Sequence, residues 1–86
     1  MKEMKKESLT RAELGERVFQ HAKAELEERG FSLWEENFDP EYPVSLRSLH
    51  NIRKGVFKVA TLNSLPGVRV EEWFMVNRQV WINLGN

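Results

Sequence analysis

The longest regular pattern in the chain runs from Thr10 to Gly30 and predicts an amphipathic helix. Thr10 stands at an N-cap position with Glu13 three residues later, which is the spacing of a capping box. Apolar residues recur at three- and four-residue spacing and form one stripe: Leu14, Val18, Phe19, Ala22 and Leu26. Gly30 supplies the left-handed residue that stops a helix. A helix from about Arg11 to Arg29 is therefore the scaffold for the rest of the chain.

A chain of 86 residues has room for one domain with one core around this helix. We expect a single domain, 1–86, of mainly α structure with a small β element (α+β), in which 1–9 is a flexible N-terminus. The absence of cysteine excludes disulfides, thiolate metal sites and cysteine nucleophiles, and it is typical of a reducing compartment. No apolar run approaches the roughly 20 residues of a membrane span. We therefore expect a cytoplasmic protein that does not enter a membrane.

An acidic segment, SLWEENFDPEYP, follows the long helix at residues 32–43. Its two prolines forbid a continuous helix. We expect its aromatic and aliphatic residues to seal one end of the core, with either Leu33 or Trp34 buried beside Phe31 and Phe38. Because no histidine lies nearby, the acids predict a solvated loop and not a metal site: Glu35, Glu36, Asp39 and Glu41.

Two short helices are predicted next. Ser45 is the expected N-cap of a helix that stops at Gly55. Its buried side carries apolar residues three apart: Leu46, Leu49 and Ile52. A second short helix is expected near 59–65, where Pro66 and Gly67 end it. Two short helices joined by a tight turn give a helix-turn-helix outline, so we expect a core of three to four helices.

The C-terminal residues, 68–86, are rich in Val, Ile, Trp and Phe and predict a β-hairpin. We expect strands at about 70–76 and 79–84, joined by a turn at Asn77-Arg78. Pairing about that turn would place these residues on one face: Trp73, Met75, Val80, Ile82 and Leu84. An isolated two-stranded ribbon is marginal, so it must pack on the helices, pair with residues 31–35, or pair with a second copy. A homodimer through the C-terminal hairpin is one expected arrangement.

The stretch PVSLRSLHNIRKG, residues 43–55, contains no acid, although the chain has equal numbers of acids and bases. Residues 1–43 hold seven bases and eleven acids, whereas residues 44–86 hold six bases and two acids. This asymmetry indicates either a protein with a basic face or two halves that attract each other. The exposed side of the helix offers Arg47, Asn51 and Lys54 at positions i, i+4 and i+7. Arg and Asn pair with base edges in the major groove and Lys holds phosphate, so this face suits DNA.

The segment VSLRSLHNIRKG is similar to the recognition helix of the lambda-repressor-like helix-turn-helix DNA-binding domains. ATLNSL resembles the next helix of that family, GVRVEEWF the segment that follows, and ELGERV the first helix, whereas SLWEENFDPEYP replaces the regular second helix. The resemblance implies that Arg47, Ser48 and Asn51 face bases and that Ser45 and Lys54 lie near phosphates. The full predicted DNA-binding set is Ser45, Arg47, Ser48, His50, Asn51, Arg53, Lys54 and Lys58. The expected function is sequence-specific binding of double-stranded DNA by a small transcriptional regulator, with helix 45–54 in the major groove.

Two other interpretations fit the same sequence. In a winged-helix domain, residues 58–65 would be the recognition helix and the hairpin the wing, and the DNA contacts would be Lys58, Thr61, Asn63, Ser64, Arg69 and Arg78. In a protein-interaction module, the basic residues would form an ordinary solvated face without nucleic-acid binding. We expect no enzyme activity, because the chain has no Gly-rich phosphate loop, metal-ligand cluster or nucleophile elbow. No catalytic residue, metal or cofactor is therefore predicted.

Overall fold

A computed structural model describes residues 5–74 and 79–85 and contains both helices and strands. In chain order the elements are β1 (Lys5–Ser8), α1 (Arg11–Glu28), a 3-10 turn (Glu35–Asn37), α2 (Leu46–Arg53), α3 (Val59–Asn63), β2 (Val68–Phe74) and β3 (Gln79–Leu84). The predicted mixture of helices with a small β element is confirmed. Among the described residues, no helix has the length and apolar character needed to cross a bilayer.

Helix α1 begins and ends with the local signals seen in the sequence. The backbone N–H of Thr10 donates to Glu13 Oε1 at 2.8 Å, and the backbone N–H of Glu13 donates to Thr10 Oγ1 at 3.0 Å. This reciprocal pair is the predicted capping box. At the other end Gly30 has φ 89°, and the N–H of Phe31 donates to the carbonyl of Leu26 at 2.9 Å. The predicted apolar stripe of α1 is buried throughout.

Helix α2 is likewise bounded as the sequence predicts. Ser45 is the N-cap, and its Oγ accepts from the backbone N–H of Ser48 at 3.1 Å. Gly55 has φ 89°, and its N–H donates to the carbonyl of Ile52 at 2.9 Å. The N–H of Val56 donates to the carbonyl of Asn51 at 2.9 Å, which completes a Schellman stop. Both ends of α2 are thus set by signals within its own sequence.

The sheet has three antiparallel strands in the order β1-β3-β2. Residues 5–8, expected to belong to a flexible N-terminus, instead form the strand that pairs with β3, with Glu7 opposite Val80. Glu7 also accepts two hydrogen bonds from the guanidinium of Arg17 at 2.7 and 3.0 Å, so this strand is held to α1 as well as to β3. The third strand of the sheet is therefore β1 and not the segment 31–35.

The register of the hairpin differs from the sequence expectation. Val70 lies opposite Ile82 and Val68 opposite Leu84, with an irregularity between Glu72 and Phe74. The buried residues on the helix-facing side of β2 are therefore Val68 and Val70, whereas pairing about Asn77-Arg78 had placed Trp73 and Met75 on that side. The expected turn, Met75 and the side chains of Trp73 and Val80 lie outside the described parts of the structure. The irregularity between Glu72 and Phe74 changes the pairing by one residue, and such a bulge leaves no mark in the sequence pattern.

One core lies between the helices and the sheet. It is formed by Leu14, Val18, Phe19, Ala22, Leu26, Tyr42, Leu49, Ile52, Leu62, Leu65, Val68, Val70 and Ile82. Phe31, Leu33 and Phe38 close one end of it, whereas Trp34 is 71% exposed, so Leu33 and not Trp34 is the partly buried residue of that pair. Helix α2 packs on α1, and α3 packs on β2. These contacts leave the outer side of α2 facing solvent.

Candidate nucleic-acid interface

Close backbone contact between α1 and α2 fixes the position of the candidate interface. A Cβ added at Gly15 would lie 1.9 Å from the carbonyl oxygen of Ile52, so only glycine permits this approach. Leu49 and Ile52 fill the contact, and both are almost fully buried. Because the C-terminal end of α2 lies against the first turns of α1, the two helices run in roughly opposite directions. The outer face of α2 is thereby held away from the core.

Three predicted DNA-binding residues form a row on that outer face. Arg47, Asn51 and Lys54 occupy positions i, i+4 and i+7 of α2, opposite the buried Leu49 and Ile52, and all three are exposed. Their side chains make no hydrogen bond or ion pair with the described residues. The row is about 10 Å long at the usual helix rise, which is a length that a major groove accommodates. The structure thus brings these three residues together as the sequence predicts.

Two further predicted contacts are directed toward α1. The Nε of Arg53 donates to Glu16 Oε1 at 3.2 Å, and the guanidinium carbon of Arg53 lies 4.8 Å from the ring centroid of Phe19. The ring centroids of His50 and Phe19 are 5.9 Å apart. The hydrogen bonds from Gln20 and from Arg53 lower the pKa of Glu16, so this carboxylate is ionised as the partner of Arg53. Arg53 and His50 therefore have a structural role on the α1 side of α2.

The two serines of the predicted set cap the start of α2. Besides accepting from the N–H of Ser48, the hydroxyl of Ser45 lies 3.1 Å from the hydroxyl of Ser48. Backbone amides at such a helix start suit a phosphate oxygen. The structure gives both hydroxyls a local partner and places them at the N-terminal end of the outer row.

The turn after α2 is held by a residue that the sequence reasoning missed. The Nε of Arg11 donates to the carbonyl of Gly55 at 3.2 Å, and Nη2 of the same guanidinium donates to the carbonyl of Phe57. The guanidinium carbon lies 4.2 Å from the ring centroid of Phe57. These contacts fix the turn that carries Lys54 and Lys58, both of which are exposed. Arg11 lies in the first turn of α1, where a positive charge is unfavourable to the helix dipole. This unfavourable position was the feature of the sequence that could have indicated a contact outside α1.

The residues of the winged-helix alternative are arranged differently. Helix α3 spans five residues, and the side chain of Asn63 donates to the carbonyl of Val70 at 3.0 Å and accepts from its N–H at 2.7 Å. The hydroxyl of Ser64 donates to the carbonyl of Thr61 at 2.6 Å. Asn63 thus pairs with the outer edge of β2 at Val70, and both polar atoms of its side chain are hydrogen-bonded within the protein. Arg69 is exposed, and Arg78 lies outside the described residues.

The arginine side chains divide into two groups. Arg11, Arg17, Arg29 and Arg53 each bind an acceptor elsewhere in the chain. Arg47 and Arg69 are exposed and contact no acceptor among the described residues. Arg47 also lies in the first turn of α2, where a positive charge is unfavourable to the helix dipole. Nothing in the local structure of α2 accounts for Arg47.

An acidic groove adjoins the N-terminal end of the row. Its lining includes Glu35 and Asp39 together with Ser45 and Leu46. Asp39 accepts from Arg29 at 2.6 Å, whereas Glu35 is exposed. Lys54 and Lys58, both exposed, lie beyond the other end of α2, away from this groove.

No group of three His, Asp or Glu side chains within the described ranges is placed to hold a metal ion. Comparison with known proteins gave no match to a protein-family model, to a curated protein or to a solved structure.

Proposed function

We propose that this protein is a sequence-specific double-stranded-DNA-binding protein that places α2 in the major groove. The single observation that carries the proposal is the row of Arg47, Asn51 and Lys54, which is exposed and has no partner among the described residues. A guanidinium and a carboxamide on one helix face match the donors and acceptors of guanine and adenine edges. A helix-turn-helix core of α1, α2 and α3, and a role as a small transcriptional regulator, belong to the same proposal.

Lys54 and Lys58 supply the phosphate contacts in this arrangement. Both lie at the turn that Arg11 holds, at the end of α2 remote from the acidic groove. Contacts with phosphate fix orientation without reading sequence, whereas Arg47 and Asn51 read bases. The structural roles of Arg53 and His50 leave the exposed row as the surface that would read DNA.

The proposal is supported over the winged-helix alternative by the side chains of α3. Asn63 and Ser64, which that alternative needs at the DNA, are bound to backbone atoms of this chain. A homodimer through the hairpin stays a prediction. Both sides of β3 are paired within the described sheet, so a second copy would pair with the outer edge of β1 or β2.

The test begins with selection of a preferred duplex from a random pool, followed by fluorescence anisotropy at several salt concentrations. Arg47→Ala should cost about 1–3 kcal/mol on the selected duplex and relax the base preference. Lys54→Ala should weaken binding to all duplexes alike and reduce the slope of log affinity against log salt by about 1. These different effects follow from base reading by Arg47 and phosphate contact by Lys54.

Two control variants make the assay specific. Lys23→Ala removes one positive charge from α1 and should leave the affinity for the selected duplex within about twofold. Arg69→Ala removes an exposed arginine. This residue would contact DNA in the winged-helix arrangement but not when α2 lies in the major groove. A loss of affinity in Arg69→Ala with none in Arg47→Ala would favour the winged helix. Absence of DNA binding even at low salt would favour the protein-interaction module.

A further inference from the structure

Among the residues whose side chains are described, two large apolar side chains are strongly exposed, and each is flanked by charges of one sign. Trp34 is 71% exposed and is followed by Glu35 and Glu36. Val56 is 63% exposed and lies between Lys54 and Lys58. All four charged residues are exposed, and none forms an ion pair within the described parts of the chain. We name residues 34–36 the acidic patch and residues 54–58 the basic patch.

The fold places these patches at opposite ends of the pair α1 and α2. The segment that carries the acidic patch is held to the C-terminal end of α1 by the ion pair between Arg29 and Asp39. The basic patch is held to the N-terminal end of α1 by Arg11, which binds the carbonyl of Gly55. Glu35 lies beside the N-terminal end of α2 and Lys54 follows its C-terminal end, so the eight residues of α2, about 12 Å, separate the patches within one molecule.

The sequence on either side of each patch carries an excess of charge of the same sign. Residues 25–41 contain seven acids and one base, whereas residues 42–70 contain five bases and no acid. Each patch therefore combines an exposed apolar residue with a surrounding potential that is complementary to that of the other patch. The molecule that is certain to present both surfaces in the same solution is a second copy of this chain.

We propose that the acidic patch of one copy binds the basic patch of a second copy, with Trp34 packed against Val56 and the glutamates facing the lysines. The two surfaces differ, so the contact is heterologous and molecules associate head to tail. Exposed ion pairs contribute little in salt, so the association is weak and is strongest at low ionic strength. This proposal is independent of DNA binding. Lys54 and Lys58 belong to both surfaces, so bound duplex would displace the second copy.

Sedimentation equilibrium of the purified protein, without DNA, tests the contact. At about 20 mM salt the weight-average mass should rise with protein concentration above that of the monomer, and at about 500 mM salt it should return to the monomer. Monomer at every salt concentration, up to about millimolar protein, would overturn the proposal. A mass that is high but unaffected by salt would also overturn it, because such association would use an uncharged surface.

Charge reversal identifies the surfaces. The variants Glu35→Lys with Glu36→Lys, and Lys54→Glu with Lys58→Glu, should each be monomeric alone at low salt, and a mixture of the two should associate again. The control, Glu71→Lys, reverses the charge of an exposed acid on β2, outside residues 25–41, and should still self-associate. An equal loss of self-association in this control, or no association in the mixture of the two variants, would contradict the assigned patches. Far-ultraviolet circular dichroism establishes that each variant is folded.

The apolar part of the contact has its own variant. Trp34→Ser removes the exposed ring and leaves every charge in place, so it should lower the association constant measured at low salt. Unchanged association in Trp34→Ser would show that the charges act at long range without the proposed packing, and it would overturn the contact between Trp34 and Val56.

Discussion

Asp39 is buried, and both of its carboxylate oxygens are bound. One oxygen accepts from the backbone N–H of Glu41 at 2.8 Å, and the other accepts from Arg29 at 2.6 Å. The hydrogen bond from Glu41 and then the guanidinium of Arg29 lower the pKa of Asp39 below its ordinary value, against the opposing effect of burial. This side chain ties the acidic segment to α1.

We expect Asp39→Ala to lower the free energy of unfolding near neutral pH, measured by urea denaturation, because the hydrogen bonds from Glu41 and Arg29 are lost. The folded protein stabilises the ionised form of Asp39, so the pKa of this carboxyl is lower in the folded state than in the unfolded state. The contribution is therefore complete above the unfolded pKa of about 3.9 and is lost as pH falls through the lowered folded pKa. The difference between wild type and Asp39→Ala should shrink below about pH 4.

The control is Glu36→Ala, which removes an exposed carboxylate from the same segment and should change stability by less than about 0.5 kcal/mol. If Asp39→Ala matched this control, or if its effect were the same at every pH, the assigned role of Asp39 would be wrong.

Arg47 and Arg53 show how far single residues can be understood from the sequence. Both were predicted to contact DNA because they lie in one acid-free helix. The helical spacing correctly placed Arg47 on the outer face, but it could not show that Glu16 and Phe19 of α1 would lie beside Arg53. The partners of Arg53 come from a helix 37 residues away in the chain, so only the packing of α1 on α2 defines them.

At the scale of elements, the contact between α1 and α2 depends on Gly15. We expect Gly15→Ala to destabilise the protein by about 1–3 kcal/mol, because its Cβ would overlap the carbonyl oxygen of Ile52 and force the helices apart. Alanine is otherwise the better helix former by about 1 kcal/mol, so the sign of the effect is informative. Thermal denaturation followed by circular dichroism measures it. A stabilised Gly15→Ala variant would mean that α1 and α2 do not approach this closely.

The edge of β2 depends on Asn63. Asn63→Ala removes both hydrogen bonds to Val70 and should lower the free energy of unfolding by about 1–3 kcal/mol. Under conditions where the variant remains folded, its affinity for the selected duplex should equal that of wild type, because Asn63 does not face DNA in our proposal. Normal stability with reduced affinity would reverse this conclusion and favour α3 as the recognition element.

The elements with local signals could be predicted, and those set by distant pairing could not. Helices α1 and α2 have caps and apolar spacing within their own residues, so their bounds follow from the sequence. Strand β1 has four polar or charged residues and no alternation, and it exists because β3 offers a paired edge. The pairing of β2 with β3 is likewise set by contacts between strands, and it includes an irregularity between Glu72 and Phe74.

At the scale of the whole molecule, the uneven charge is the dominant feature. The ion pairs of Arg17 with Glu7 and of Arg29 with Asp39 lie within residues 1–43, whereas that of Arg53 with Glu16 joins the two halves. Attraction between the halves thus accounts for part of the asymmetry, and Arg47 and Lys54 form no ion pair with the residues that the structure describes. A polar molecule of this kind would approach DNA with α2 leading and the acidic segment turned away.

The most direct measurement of the central claim is a titration of isotope-labelled protein with the selected duplex, followed residue by residue by amide chemical shifts in nuclear magnetic resonance spectra. We expect the largest changes in residues 47–58, with little change in residues 25–28 and 35–41. Changes concentrated in residues 63–71, or none at low salt, would contradict DNA recognition by the outer face of α2.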